Sequence, residues 1–249
     1  MVLVMCMAGF NSRFHDAGFD VPKYLMPWND SVILDGILQG LSAGKGFSRV
    51  ILLPNRRDSY FKKDLVEVAC RHSIAEQDIV YIPDTRGQAH TAAIGAQIAR
   101  DTGSTDVPIA FHNADTILLG RDWKSVADEL RQRDVFIDVF PASNPAYSYV
   151  ALHDGRVSRI KEKTVISPFA SSGFYAFKSA DYYLRGFDTS SEREPGTGRC
   201  ETYISGVIQT LIDEGANAFV NELNSDSTTT VLGTPEEYGL EMARKALAR

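Results

Sequence analysis

The chain has 249 residues, of which 44% are hydrophobic and 23% charged, and its formal net charge at pH 7 is −6. This length allows a hydrophobic core, while the acidic balance argues against non-specific binding of nucleic acid, which depends on many lysine and arginine side chains. No stretch approaches the roughly 18–20 consecutive apolar residues of a membrane span, and the amino terminus lacks the features of a signal peptide. We therefore expect a cytoplasmic protein that binds neither nucleic acid nor a membrane.

Apolar runs of strand length alternate with helical patterns through the first half of the chain. Strands are predicted at 2–7, 48–55, 78–83 and 107–116, and helices at 31–44, 60–73 and 88–103. The strands are apolar throughout instead of alternating with polar residues, which is typical of strands buried on both faces of a parallel sheet. The first half therefore predicts a sheet with helices on both sides.

Short turns separate the strand-like runs of the second half. Strands are predicted at 134–142, 147–153, 157–163 and 171–178, and helices at 200–215 and 235–248. We expect a mobile surface loop at 188–200, which is rich in Gly, Ser and charged residues. The pattern predicts an α/β fold, a doubly wound and mostly parallel, Rossmann-like mixed sheet with an embedded β-rich lobe. Because no Gly-, Ser- and Pro-rich linker divides the halves, we expect one domain over 1–249.

Polar residues cluster where three of the predicted strands end. The clusters are residues 8–23 after the first strand, 84–90 after the third and 112–116 after the fourth. In open α/β sheets, ligands bind beyond the carboxyl ends of the strands. The shared position of the clusters therefore predicts a common ligand site.

The first cluster has the residue types of a phosphate site. A turn that contains Gly9 can expose backbone N–H groups, Arg13 can hold phosphate with two parallel hydrogen bonds, and Lys23 adds a compact charge. Pro22 restricts the backbone immediately before Lys23. The alternative interpretation is a solvated loop with two surface cations.

The other two clusters offer a metal ligand and a contact for a nucleotide base. Asp115 suits Mg²⁺, which prefers one or two carboxylates together with phosphate oxygens, although an aspartate here can also simply cap the next turn. Gly87 and Gln88 open a helix and could contact the edge of a base, or form a plain helix N-terminus. We interpret His112 as a hydrogen-bonding residue and not as a metal ligand.

The order of these residues resembles the opening signature of the sugar-phosphate nucleotidyltransferases, in which Gly-x-Gly-x-Arg is followed after about ten residues by Pro-Lys. The stretch "MAGFNSRFHDAGFDVPKYLMP" departs from it at Asn11, where the family has its second glycine, but asparagine tolerates positive φ well. The matching residues are Gly9, Ser12, Arg13, Phe14, Gly18, Pro22, Lys23 and Leu25. The resemblance implies nucleotide contacts for Ala8, Gly9, Asn11, Ser12, Gly87 and Gln88.

The resemblance continues along the chain. Asp115 matches the metal-binding aspartate of the family, and Glu162 and Lys163 match a Glu-Lys pair that holds the acceptor. Gly173 matches the glycine of a Gly-x-Tyr-x-Phe pattern and would let the acceptor pass close to the backbone.

The final shared motif lacks one carboxylate. "LGTPEEY" is familiar from the family, but Val231 stands where many members have a second metal-binding aspartate. Asp226 is a nearby candidate to replace it. The members from capsule-type pathways, which this chain resembles more, also tend to lack that aspartate.

The resemblance implies that a sugar phosphate or a similar phosphate monoester attacks the α-phosphate of a nucleoside triphosphate, and that pyrophosphate leaves. Arg13 and Lys23 would be the catalytic cations, with Mg²⁺ on Asp115. Residues 1–130 would form the nucleotide-binding half and residues 131–249 the acceptor-binding half. The product would supply surface-polysaccharide synthesis. The base, the acceptor and the oligomeric state stay open, and a homo-oligomer is possible.

Two other functions remain open at this point. A glycosyltransferase of similar core usually has Asp-x-Asp where this chain reads "NADT", with one carboxylate. A catalytically weak protein that binds a nucleotide or a sugar phosphate would keep the pocket without the reaction. Asn11 and Val231 are the features that favour this second alternative.

Overall fold

The computed structural model describes residues 1–193, 202–221 and 226–247. Within these ranges, the strands are β1 (Val2–Met7), β2 (Pro27–Trp28), β3 (Ser31–Val32), β4 (Arg49–Pro54), β5 (Ile109–Asn113), β6 (Thr116–Leu119), β7 (Val135–Pro141), β8 (Tyr149–His153), β9 (Arg156–Lys161), β10 (Phe169–Phe177), β11 (Ala218–Val220) and β12 (Thr228–Val231). The α-helices are α1 (Ser12–Asp16), α2 (Ile33–Ala43), α3 (Lys62–Arg71), α4 (Gln88–Asp101), α5 (Trp123–Glu129), α6 (Ala180–Arg193), α7 (Ile204–Asp213) and α8 (Pro235–Leu247).

A central mixed sheet organises these elements, with its strands in the order β11-β7-β10-β5-β1-β4. β1 is parallel to β4 and β5, and β11 is parallel to β7, whereas β10 runs antiparallel to both of its neighbours. The hairpin β8–β9 joins the sheet where Tyr149 pairs with Ala170 of β10. The predicted α/β fold with a mixed sheet and a β-rich extension is thus confirmed.

The side chains of β1 show why helices cover both faces of the sheet. Leu3 and Met5 belong to a core shared with α2 and α3, while Val2 and Val4 belong to a second core shared with α4, α6 and α7. All four side chains are buried. Because alternate residues of a strand point to opposite faces, a strand without polar residues needs apolar cover on both sides.

Residues 78–83 do not form the strand that their apolar pattern predicts. Val80 and Ile82 donate backbone hydrogen bonds to the carbonyls of Leu52 and Pro54, each at 2.9 Å, but only isolated bridges form along β4. In a parallel pair, the N–H and the C=O of one residue both point toward the same neighbouring strand. Pro54 has no N–H, so the hydrogen bond that it would donate to the carbonyl of Val80, between these two bonds, cannot form. The prediction of a full strand is wrong for this reason.

A two-stranded ribbon, β6–β12, is joined to the central sheet by a buried ion pair. Arg121, shortly after β6, donates to both carboxylate oxygens of Asp138 on β7, at 2.9 and 3.1 Å. It also donates to the carbonyl of Thr228 and the hydroxyl of Thr229 on β12, at 3.0 and 2.8 Å. One guanidinium therefore links both strands of the ribbon to the sheet.

Several other boundaries differ from the predicted ones. The strand predicted at 107–116 divides into β5 and β6, and Asp115 lies in the turn between them. The strand predicted at 157–163 ends at Lys161, so the Glu-Lys pair follows it. The first residues of the loop predicted at 188–200 continue α6, and 194–200 lie outside the described residues. No helix in the described part of the chain is long and apolar enough to cross a membrane.

Candidate active site

The loop after β1 makes the turn that its sequence predicts. Asn11 has φ 59° and ψ 15°, a left-handed conformation, and precedes α1, so asparagine serves where the resembling family has glycine. Phe14 is buried under this helix, with its ring 6.5 Å from that of Tyr238. Ala8 is buried, and the exposed residues of this loop include Gly9, Ser12 and Arg13. Arg13 forms no ion pair with any residue that the structure describes.

Lys23 and Asp115 form an ion pair between two of the predicted clusters. Nζ of Lys23 lies 2.5 Å from Oδ2 of Asp115, and the side chains are 24% and 14% exposed. Pro22 on one side of Lys23 is buried, as are Tyr24 and Leu25 on the other, so the lysine projects from an anchored backbone. The fold therefore brings together two predicted site residues that are 92 positions apart in sequence.

The charge of Lys23 keeps Asp115 ionised. Burial by itself would raise the pKa of Asp115, but the adjacent ammonium group holds that pKa below its ordinary value. The hydroxyl of Thr116 also donates to Oδ1 of Asp115, at 3.2 Å. Asp115 is thus a carboxylate at neutral pH, which is the form that binds a metal ion.

The protein offers few further ligands around Asp115. Across the described ranges, no group of three or more His, Cys, Asp or Glu side chains could hold a metal ion. A divalent ion at Asp115 would therefore complete its coordination with water and phosphate oxygens, which is usual for Mg²⁺. Asp226 does not supply a second carboxylate, because its backbone packs on Gly120 at the end of the β6–β12 ribbon that is remote from Asp115.

The end of β5 connects the second cluster with β10. Gly87 precedes α4 with φ 121°, and Nε2 of Gln88 donates to Oδ1 of Asn113. Gly173 has φ 84°, and a Cβ at this position would collide with the side-chain amide of Asn113. The glycine thus makes room for Asn113, a residue that sequence reasoning missed. His112 is buried and donates to a backbone carbonyl from Nε2 at 2.7 Å, and burial lowers its pKa, so it is a neutral hydrogen-bonding residue.

The Glu-Lys pair lies just beyond the end of β9. Oε2 of Glu162 accepts hydrogen bonds from the hydroxyls of Ser148 and Ser205, the latter at 2.8 Å. Lys163 has φ 51°, donates to the hydroxyl of Tyr203 at 2.5 Å and lies 4.6 Å from the centre of that ring. Two hydroxyls therefore orient the carboxylate, and an aromatic ring holds the ammonium.

A further cation reaches the loop after β1. Arg57, in the short 3-10 turn that follows β4, lies 4.4 Å over the ring of Phe10, donates to Asp84 at 2.8 Å and approaches the carbonyl of Ala8 at 3.5 Å. Sequence reasoning missed this residue. The signal was available, because Arg57 also follows the carboxyl end of a parallel strand.

Comparison with solved structures identifies proteins of the same fold. No family model matches the chain, and no curated protein matches it. A nucleoside-diphosphate-sugar pyrophosphorylase from Vibrio cholerae RC9 is 25% identical, with a TM-score of 0.78 over 95% of this chain and 98% of that one. A UDP-glucose pyrophosphorylase complexed with UDP-glucose is 17% identical, with a TM-score of 0.72 over 100% and 98%. The inositol-1-phosphate CTP transferase from T. maritima is 14% identical, with a TM-score of 0.70 over 95% and 90%. These structural neighbours are pyrophosphorylases and nucleotidyltransferases.

Proposed function

We propose that this protein is a Mg²⁺-dependent nucleotidyltransferase that joins a nucleoside triphosphate to a sugar phosphate or a similar phosphate monoester and releases pyrophosphate. The observation that carries the proposal is the 2.5 Å contact between Lys23 and Asp115. It places a cation beside an ionised carboxylate at the carboxyl ends of two parallel strands, in a fold shared with a nucleoside-diphosphate-sugar pyrophosphorylase. A triphosphate with its divalent ion needs this combination of charges.

The residues of the first half would bind and orient the triphosphate. Asp115 would hold Mg²⁺, which when bound supplies positive charge to the phosphate oxygens. Lys23 would place its ammonium between the α-phosphate and the acceptor, and the exposed Arg13 would stabilise the charge that develops on the leaving pyrophosphate. Such a reaction depends on in-line positioning and electrostatic stabilisation, and it needs no covalent intermediate.

The Glu-Lys pair would bind the acceptor. Lys163 would hold the phosphate of the acceptor, and Glu162 would accept hydrogen bonds from its hydroxyl groups. The hydroxyls of Ser148 and Ser205 occupy one oxygen of Glu162, which fixes the direction of the carboxylate. Residues 1–130 then serve as the nucleotide-binding half and residues 131–249 as the acceptor-binding half.

The proposal includes a role in the cytoplasm, where the product would be a precursor of surface polysaccharide. The likeness of the motifs to those of capsule-type nucleotidyltransferases supports this role. The bases named for the structural neighbours, uracil and cytosine, differ from one another, so the fold leaves the choice of base to local residues.

Pyrophosphate release tests the proposal. Purified protein is incubated with Mg²⁺, each nucleoside triphosphate in turn, and a panel of sugar phosphates and other phosphate monoesters. We expect pyrophosphate from a specific pair of substrates, and only when both substrates and Mg²⁺ are present. Release of a nucleoside diphosphate from a nucleotide sugar would instead identify a glycosyltransferase. Nucleotide binding without any product from the panel would identify a binding protein.

A further inference from the structure

We infer that Glu237, in the first turn of α8, is the second carboxylate of the divalent-cation site at Asp115. The inference rests on the proposed function and names the residue that takes the place of the missing carboxylate at Val231. Glu237 lies within the "LGTPEEY" motif, but its relation to Asp115 exists only in the folded chain.

The chain after β12 returns directly to Asp115. Val231 pairs with Thr116, and the next residue, Leu232, donates its backbone N–H to the carbonyl oxygen of Asp115 at 2.7 Å. Gly233 follows, and α8 then begins at Pro235. These contacts place the first turn of α8 beside the turn that carries Asp115.

Gly233 leaves a space that both carboxylates border. A Cβ on Gly233 would stand 3.1 Å from Oδ2 of Asp115 and 3.5 Å from Oε2 of Glu237. Lys23 approaches the same Oδ2 at 2.5 Å, so a cation already contacts one side of this region. Two carboxylates that face one small space repel each other, and a cation between them removes that repulsion.

Hydrogen bonds hold the carboxylate of Glu237 in this direction. Tyr147 donates its hydroxyl to Oε1 at 2.8 Å, and Thr234 donates its hydroxyl to Oε2 at 3.1 Å. The backbone N–H of Glu237 donates to the hydroxyl of Thr234 at 3.1 Å, as in a capping box, but the Glu237 side chain bonds to two hydroxyls instead of turning back to the N-cap backbone N–H.

This arrangement suits the coordination chemistry of Mg²⁺. The ion keeps several of its waters when a protein binds it, so a carboxylate that does not touch the metal can still accept hydrogen bonds from those waters. Asp115 would supply the direct ligand, and Glu237 would hold the hydrated side of the ion. Removal of such a supporting group usually weakens metal affinity by about 10–100-fold.

The test measures the affinity for Mn²⁺ in four proteins: the wild type and the variants Glu237→Gln, Glu236→Gln and Asp115→Asn. Water-proton relaxation gives the dissociation constant of Mn²⁺ without any substrate. Glutamine removes the charge and keeps one acceptor oxygen, so its NH2 group faces either Tyr147 or Thr234, whose hydroxyl can accept a hydrogen bond from it. The exposed Glu236 provides the same charge change one residue away. We expect Glu237→Gln to raise the dissociation constant by about 10–100-fold and Glu236→Gln to change it by less than about twofold.

The outcomes separate this inference from the proposed function. If Glu237→Gln binds Mn²⁺ as well as Glu236→Gln does, while Asp115→Asn binds it poorly, Glu237 has no part in the site and the proposed function is unaffected. If Asp115→Asn also binds Mn²⁺ normally and the wild type releases no pyrophosphate, the proposed function fails as well. Should Glu237→Gln melt at a lower temperature than the wild type, Tyr147→Phe replaces it. That variant removes one of the two hydrogen bonds that orient the carboxylate, and we expect a several-fold loss of Mn²⁺ affinity, whereas unchanged affinity overturns the inference.

Discussion

At the scale of single residues, the proposed chemistry depends most on Lys23. Its ammonium contacts Asp115, and buried neighbours on both sides restrict the backbone from which it projects. A positioned charge is effective in catalysis because it needs no reorganisation when charge moves in the transition state. The ion pair therefore orients the ammonium group of Lys23 before a substrate binds.

Replacement of Lys23 by alanine should separate catalysis from folding. We expect Lys23→Ala to lower turnover by at least ~100-fold, because the loss of one positioned electrostatic donor typically costs about 3–4 kcal/mol of barrier. Turnover is measured as pyrophosphate release, and circular dichroism checks the fold. Lys63→Ala, at an exposed position of α3, is the matched control. A near-normal rate for Lys23→Ala would remove this lysine from the mechanism.

The same ion pair should make stability depend on pH. Because the pKa of Asp115 in the folded protein lies below its ordinary value of 3.8, the ionised carboxylate stabilises the fold above that value. This contribution is lost as the pH falls through the folded-state pKa. Near neutral pH, we expect a constant difference in free energy of unfolding between the wild type and Asp115→Asn. Below about pH 4, the wild type should lose stability relative to Asp115→Asn.

Denaturant titrations at a series of pH values measure this difference. In a Lys23→Met background, burial is the main remaining influence on the carboxyl, so its pKa should rise above the ordinary value and the trend should reverse. The same pH dependence with and without Lys23 would show that the lysine does not control the ionisation of Asp115.

At the scale of elements, the ribbon β6–β12 decides where the candidate site forms. Its antiparallel pairing sets Val231 opposite Thr116, which brings the start of α8 to Asp115. The buried pair of Arg121 and Asp138 attaches the ribbon to β7, with side chains only 4% and 0% exposed. The ion pair therefore serves the site at a distance, through the position of the ribbon.

Loss of Arg121 alone should destabilise the protein strongly. Arg121→Met leaves the carboxylate of Asp138 buried without its counter-charge, and we expect a loss of about 3–5 kcal/mol in the free energy of unfolding. The double variant Arg121→Met/Asp138→Leu removes both charges and should recover much of that loss, because apolar pairs often replace buried ion pairs at little cost. Urea unfolding measures both. Equal destabilisation of the single and the double variant would contradict this account.

At the scale of the whole molecule, an acidic protein places individual cations in the loops that follow its strands. The net charge is −6, yet Lys23 and Arg57 both follow carboxyl ends of parallel strands, and Lys163 follows β9 in the second half of the chain. Because Lys23 and Arg57 are each paired with an aspartate, they form local contacts and not a basic surface, which favours small anionic ligands over long polyanions such as nucleic acid. The global charge and the local charge are therefore compatible with the proposed substrates.

Binding of a nucleotide should stabilise the entire fold. A ligand at about 100 times its dissociation constant adds about 2.7 kcal/mol, which corresponds to a rise of about 5–10 °C in melting temperature for a chain of this size. We expect this rise with Mg²⁺ and the preferred nucleoside triphosphate, measured by differential scanning fluorimetry. It should shrink when EDTA is added and in Asp115→Asn. An equal rise in all of these conditions would show that the nucleotide binds without the metal ion.

Much of the fold could be predicted because its signals are local. The apolar run of β1 predicts a strand covered on both faces, and Asn11 adopts the left-handed turn that its side chain tolerates. The prediction of a strand at 78–83 is wrong because the pairing of this segment depends on Pro54, a residue of a different strand. Hydropathy is a property of each segment, whereas a missing hydrogen-bond donor matters only to the segment that pairs with it.

The sequence by itself determined the α/β class and the position of two polar clusters, 8–23 and 112–116, at the ends of β1 and β5, and it led to the prediction that Lys23 and Asp115 are site residues. Only the tertiary structure decided that Gly173 makes room for Asn113, that Arg57 covers Phe10 and that Glu237 faces the same space as Asp115. Each of these relations joins residues from separate elements, and none has a fixed spacing along the chain. They arise from strand register and from the return of the chain after β12, so no local pattern of residues can predict them.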